Sequence, residues 1–196
     1  MKIVACRTIL LLALMSAPVI DAQASAPPGM TRAEIALTAP WCRYAQTIGQ
    51  DVNAYKSMLE RYGKGFSHVH HYCWAQVDAM RLYKRRQSLD YARADRAIGN
   101  CNYVLSRTDP SFIFWKDTMV LKIRLTDQYV SRIKAINHAE ELVRELPEFA
   151  DGYTILADLL IKSNRKTEAE EVLAIGARKA TDKERFEQLK SVLDLR

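Results

Sequence analysis

The sequence predicts an all-α chain of antiparallel helix hairpins, stacked in succession and closed by a C-terminal helix. Three observations lead there. Over residues 149–181, apolar positions recur with helical period at Tyr153, Leu156, Ala157 and Leu160, and the pattern breaks at Ser163-Asn164. A second stripe follows at Ala169, Val172, Leu173, Gly176 and Ala177. A constant offset of 34 residues links Ala135 to Ala169 and Pro147 to Thr181, as a recurring structural unit requires. Composition agrees: 27% charged, 48% hydrophobic and only seven glycines in 196 residues describe one helical domain with a substantial core.

The N-terminus reads as an export signal. Lys2 and Arg7 make a short basic region, residues 8–20 are apolar, and Ala22-Gln23-Ala24 has the small-x-small form of a cleavage site. Residues 1–24 are therefore expected to be a cleaved signal peptide, its apolar run being too short and interrupted to span a membrane. Cleavage removes Lys2, Arg7 and Asp21, so the formal charge falls from +6 to +5. That is mildly basic, without the concentrated charge of a nucleic-acid binder. The densest basic run, Lys84-Arg85-Arg86, falls at a predicted helix C-terminus, where cations complement the dipole. The expected address is periplasmic or secreted, with no nucleic-acid partner and no membrane span after cleavage. Residues 25–38, with Ala26-Pro27-Pro28-Gly29, read as a flexible leader, and 39–196 as a single domain.

Within that domain, Ala39-Pro40-Trp41-Cys42 opens a short helix to about residue 48. Residues 51–62 form a second, with Tyr55, Met58, Leu59 and Tyr62 on one side, broken by Gly63 and Gly65. Ser67 suits the N-cap of a helix to about residue 84 with the stripe Val69, Cys73, Val77 and Met80. Ser88 can cap the next, with Tyr91, Ala94, Ile98, Cys101 and Leu105 inward. Asp109 then caps and Pro110 opens a helix carrying Phe112, Trp115, Met119 and Ile123. After a turn near Asp127-Gln128, residues 131–146 supply Ile133, Ile136, Ala139, Leu142 and Val143, closed by Pro147. The best-formed units are 112–147 and 149–181. Last, Thr181-Asp182-Lys183-Glu184 reads as a capping box for a covering helix over 182–195, with Phe186, Leu189 and Leu193 inward.

The positions Tyr153, Leu156, Ala157, Leu160, Ala169 and Leu173, with Thr181 in place of a closing proline, resemble the tetratricopeptide repeat. Leu160 and Thr181 depart from its pattern, as do Lys122 and Thr126 in the preceding unit. The resemblance implies a short right-handed superhelix whose first helices line a concave surface that binds a partner protein. It places Lys116, Lys122, Asp151, Tyr153 and Thr154 near that groove.

One stretch does not reduce to helix packing: Ser67-His68-Val69-His70-His71-Tyr72-Cys73-Trp74. With Ser67 as cap, His68, His70 and His71 share the first helical turn, where the dipole favours the neutral, metal-binding imidazole. Metal or haem handling by these three is the alternative reading. Absence of CxxCH excludes covalent c-type haem, and structural histidines packing beside Tyr72 and Trp74 are the plainer account. Cys42, Cys73 and Cys101 survive processing, so one disulfide and one odd thiol are expected outside the cytoplasm. Cys73 and Cys101 fall almost level on inward stripes of adjacent helices, while Cys42, in the less regular segment after Pro40, could instead reach Cys73. The segment 62–74 also resembles exported bacterial tetratricopeptide-repeat proteins with an HHYCW-type N-terminal segment; that resemblance brings no activity with it, and implies Cys42–Cys73.

Catalytic signatures are missing: no GxSxG, HExxH, GxxxxGK or Gly-rich dinucleotide loop occurs. A Cys73–His70 nucleophile would need an exposed thiol, and Cys73 falls on an inward stripe. The expectation is a non-enzymatic, cofactor-free module of the cell envelope, binding a protein partner as an adaptor, scaffold or assembly factor.

Overall fold

A computed structural model describes residues 29–45, 52–84 and 90–194. The predicted signal peptide and the cap at Ser88 lie outside the described residues. Among the described residues there are nine α-helices and no strand. They are α1 (Arg32–Leu37), α2 (Val52–Tyr62), α3 (Val69–Lys84), α4 (Tyr91–Leu105), α5 (Trp115–Tyr129), α6 (Arg132–Glu145), α7 (Ala150–Lys162), α8 (Lys166–Lys179) and α9 (Lys183–Asp194). From α3 to α8 the principal packing joins each helix to its chain neighbour, and α9 folds back onto α7 and α8.

The α7–α8 hairpin follows the sequence pattern. Tyr153, Leu156, Ala157, Leu160, Ala169 and Leu173 are all buried, while Thr181 is exposed. Asn164 turns the chain with φ +60°, a left-handed conformation that Asn tolerates better than most residues. Gly176 lets α9 approach: a Cβ there would stand 2.6 Å from Phe186 Cε2 and 2.8 Å from Tyr153 Cγ. Phe186 is fully buried, so packing α9 on α7 and α8 removes a whole aromatic ring from water, about 2–3 kcal/mol. Thr181 N–H donates to Glu148 O at 3.2 Å, tying the start of α9 to the entry of α7.

Several boundaries differ from expectation, each for a local reason. In place of a flexible leader, residues 32–37 are helical: Thr31 Oγ1 accepts from Glu34 N–H and Glu34 Oε2 accepts from Thr31 N–H, a reciprocal capping box. Arg81 holds that turn against α3, its Nε 2.7 Å from Glu34 Oε1 and its Nη2 2.7 Å from Gly29 O. The segment after Ala39 is a 3-10 turn, Pro40–Tyr44. Ser67 caps no α-helix, because it lies inside the 3-10 turn Lys64–His68 with its hydroxyl donating to Lys64 O. Asp90 caps α4 by accepting from Arg93 N–H.

Asp109 accepts from Ser111 N–H rather than from a residue three further on, which makes a tight turn, and α5 begins only at Trp115. It then runs through the turn expected near Asp127-Gln128, to Tyr129. Ile133 is 73% exposed, since at 3.6 residues per turn it stands about 130° from the centre of the buried stripe Ala135, Ile136, Ala139 and Leu142. At α9, Asp182 and not Thr181 supplies the cap, accepting from Arg185 N–H at 2.9 Å.

Cys42 and Cys73 form the disulfide, with Cα atoms 5.6 Å apart, and the buried Cys101 is the free thiol. The bond closes a loop across a separation of 31 residues; by the chain-entropy argument that contributes about 3–4 kcal/mol. It sits in an aromatic core with Phe66 and Phe114. The same segment positions Trp41, whose ring lies 5.6 Å from Tyr72 and 4.2 Å from Phe114.

Candidate functional site

Polar side chains on α3, α5, α7 and α9 form a row in which each lies within electrostatic reach of the next. It begins at Tyr72 on α3, a mostly buried ring stacked on Trp41, whose hydroxyl accepts from Gln76 Nε2 at 3.1 Å. Burial pushes the Tyr72 phenol pKa up, and the carboxylate of Asp117 on α5 adds to the shift. Asp117 lies in the first turn of α5, where the helix dipole favours an acid. The residue keeps an exposed surface, yet protein packed around its carboxyl raises the pKa. Lys116 opposes that shift and the carboxylate of Asp151 on α7 reinforces it. Asp151 in turn takes both nitrogens of the Arg185 fork, Nε to Oδ1 and Nη2 to Oδ2, each at 3.1 Å. The row therefore ends in a charge-assisted, bidentate pair between α7 and α9.

Of the residues expected to line a groove, Asp151 belongs to this row and Lys116 lies beside it, its Nζ 5.4 Å from the Phe149 ring centroid. Three others do not line it. Tyr153 is 1% exposed and its hydroxyl donates to Pro147 O at 2.8 Å, so it closes the α6–α7 turn. Thr154 is buried and donates to Asp151 O. Lys122 is half-buried on another side of α5: burial lowers its pKa, and the opposing influences are Glu141 on α6 and Cys101 on α4. Burial pushes the Cys101 thiol itself up to about 12, which leaves it unreactive at neutral pH.

Asp117 and Arg185 escaped the sequence reading although their signal was present. Asp117, Asp151 and Arg185 are separated by the same 34 residues that relate Ala135 to Ala169. Tyr72 and Trp41 carried no comparable signal, because the fold before α5 is irregular.

The histidines pack among neighbouring rings, with the His70 and His71 centroids 4.3 Å apart. His68, in the 3-10 turn, sets its ring 5.7 Å from Tyr103. His70 Nδ1–H donates to Ser67 O at 2.9 Å, and His71 Nδ1 pairs with Asn100 Oδ1 at 2.7 Å while its ring lies 3.8 Å from Tyr103. Burial lowers the pKa of His68 and of His70; Arg107 and His71 add to the first shift, His71 to the second. Among the described residues no group of three His, Cys, Asp or Glu side chains is placed to hold a metal ion. Two of the three imidazoles, His70 and His71, are engaged through Nδ1.

Among the described residues no helix is long and apolar enough to cross a membrane. No protein-family model, curated protein or solved structure matches the chain.

Proposed function

We propose that the chain is an exported interaction module of the cell envelope, an adaptor or assembly factor. It holds an extended or helical segment of a partner protein along the row formed by α3, α5, α7 and α9. In this reading the hairpins stack as a short tetratricopeptide-like right-handed superhelix, the first helices form its concave wall, and α9 covers the end. Recognition, not turnover, is the activity. Trp41 offers an aromatic face, Asp117 an acceptor, and the Asp151–Arg185 pair a matched donor and acceptor at the far end.

The observation that carries the reading is the recurrence of Asp117, Asp151 and Arg185 at a constant offset on successive first helices, each within electrostatic reach of the next. Stacking of equal units sets equivalent surface positions in one line, which is how repeat proteins assemble an extended binding face. Packing between chain neighbours, with α9 folded back over α7 and α8, fits the same scheme. The Cys42–Cys73 bond supports export, since such bonds persist in oxidising compartments.

Co-purification after crosslinking intact cells tests the proposal. A discrete protein partner recovered with the wild type and lost with Asp117→Lys, at an unchanged melting temperature, is the expected result. Equal recovery by both proteins refutes it.

A further inference from the structure

A second surface shares no residue with that row. Between α2 and the 107–113 connection lies an open cleft of about 600 Å³, with Arg61 and Arg107 on its walls and Phe112 and Ile113 beside them. The volume is that of an ordinary ligand site. Its floor is built, not accidental: Gly65 lies so close to the Phe112 ring that a Cβ would stand 2.8 Å from it, so the ring rests against the 3-10 turn backbone. Tyr62, on the same wall, is fixed edge-on to Phe114 at 5.1 Å.

The two guanidiniums are poised in the same way. Arg61 lies over the Tyr62 ring at 5.2 Å and Arg107 over the Tyr103 ring at 5.0 Å. Cation–π attraction holds a guanidinium over a ring face while its N–H groups can still donate to an acceptor. Among the described residues neither has a carboxylate within ion-pair distance, a condition they share with Arg43 and Arg124 but not with Arg81, Arg93 or Arg96. Asp109, the carboxylate on the rim, is engaged within its own turn by the N–H and hydroxyl of Ser111. Ile113 keeps 53% of its surface exposed next to the half-buried Phe112, an apolar pad adjoining the cations.

We infer that this cleft binds a peptide segment carrying a carboxylate next to a large apolar side chain. The arginines take the carboxylate by charge-assisted hydrogen bonds, and Ile113 and Phe112 take the apolar neighbour. An inorganic anion would gain nothing from the pad, so the pairing selects peptide over phosphate.

The probe is a fluorescein-labelled, amidated hexapeptide alternating Glu and Leu, titrated by fluorescence polarisation against the full chain. Saturable binding is expected, weakening as salt rises. In the Arg61→Gln/Arg107→Gln variant affinity falls about tenfold or more. Ile113→Ser weakens the Glu-Leu peptide but not a Glu-Ser counterpart. Both sets of side chains are exposed, and an unchanged melting curve verifies the fold. Absence of saturable binding to the wild type, unchanged affinity in the double variant, or displacement by inorganic phosphate at equal concentration overturns the assignment. Asp117→Lys leaves peptide binding intact, which separates this cleft from the row on the first helices; loss there would also overturn it.

Discussion

Gly176→Ala tests the stacking of α7, α8 and α9 through the sign of its effect. In an uncrowded helix interior this change stabilises by about 1 kcal/mol, because alanine has the better helix propensity. At Gly176 the new methyl would fall 2.6 Å from Phe186 Cε2, 2.8 Å from Tyr153 Cγ and 2.9 Å from Tyr153 Cβ. Tyr153 Cβ is nearly backbone, and its ring is anchored by the hydroxyl bond to Pro147 O, so the near side cannot yield by rotation. Phe186 is fully buried and has no space to retreat into. Overpacking of this kind sits at the upper end of the usual range, about 3 kcal/mol, and the net loss is about 2 kcal/mol. For a domain of this size that lowers Tm by about 4–8 °C. Gly99→Ala is the internal control: it lies in α4 with nothing within 4 Å of its Cβ position, and should stabilise by up to about 1 kcal/mol. Paired thermal and urea unfolding measure both. Stabilisation by Gly176→Ala equal to that of Gly99→Ala would refute the close approach of α9.

Three further outcomes follow from polar groups. Asp78 is buried and accepts from Arg93 Nη1 at 3.0 Å and Arg96 Nε at 3.1 Å; Asp78→Ala leaves Arg96 without a carboxylate and Arg93 with Asp90 alone, and should cost about 3 kcal/mol by urea unfolding. That is the low end for a broken buried pair, because the Arg96 side chain remains 56% exposed. Thr126 Oγ1 is buried with no hydrogen-bond partner among the described residues, so Thr126→Val should stabilise by about 1 kcal/mol in the same assay. The third concerns pH. The hydrogen bonds from Arg81 and then Thr31 lower the Glu34 carboxyl to about 2 from 4.5. A depressed carboxyl stabilises above its unfolded value, so docking of α1 should persist above about pH 4.5 and fade toward pH 2. Amide exchange at residues 32–37 reads this acid limb, and Glu34→Gln should abolish it.

The C-terminal half was legible because its stripes are local: Tyr153, Leu156, Leu160, Ala169 and Leu173 declare their burial by spacing alone. Spacing does not separate a groove residue from a core residue on the same helix, however, and Tyr153 and Thr154 were placed on the wrong side for that reason. Their backbone acceptors, Pro147 O and Asp151 O, become visible only once the turn is folded. The α1 capping box was written plainly in Thr31 and Glu34 but was masked by the neighbouring Pro-Pro-Gly. His71 depends on Asn100, 29 positions away on the next helix, and no local pattern announces such a partner.

Site-specific photo-crosslinking in the producing cell addresses the role of the first-helix row most directly. A benzophenone side chain at position 117 should yield a discrete adduct with one protein partner, while the same group at the exposed position 170 on α8 should yield none. Equal labelling from both positions, or no adduct from 117, would contradict the account.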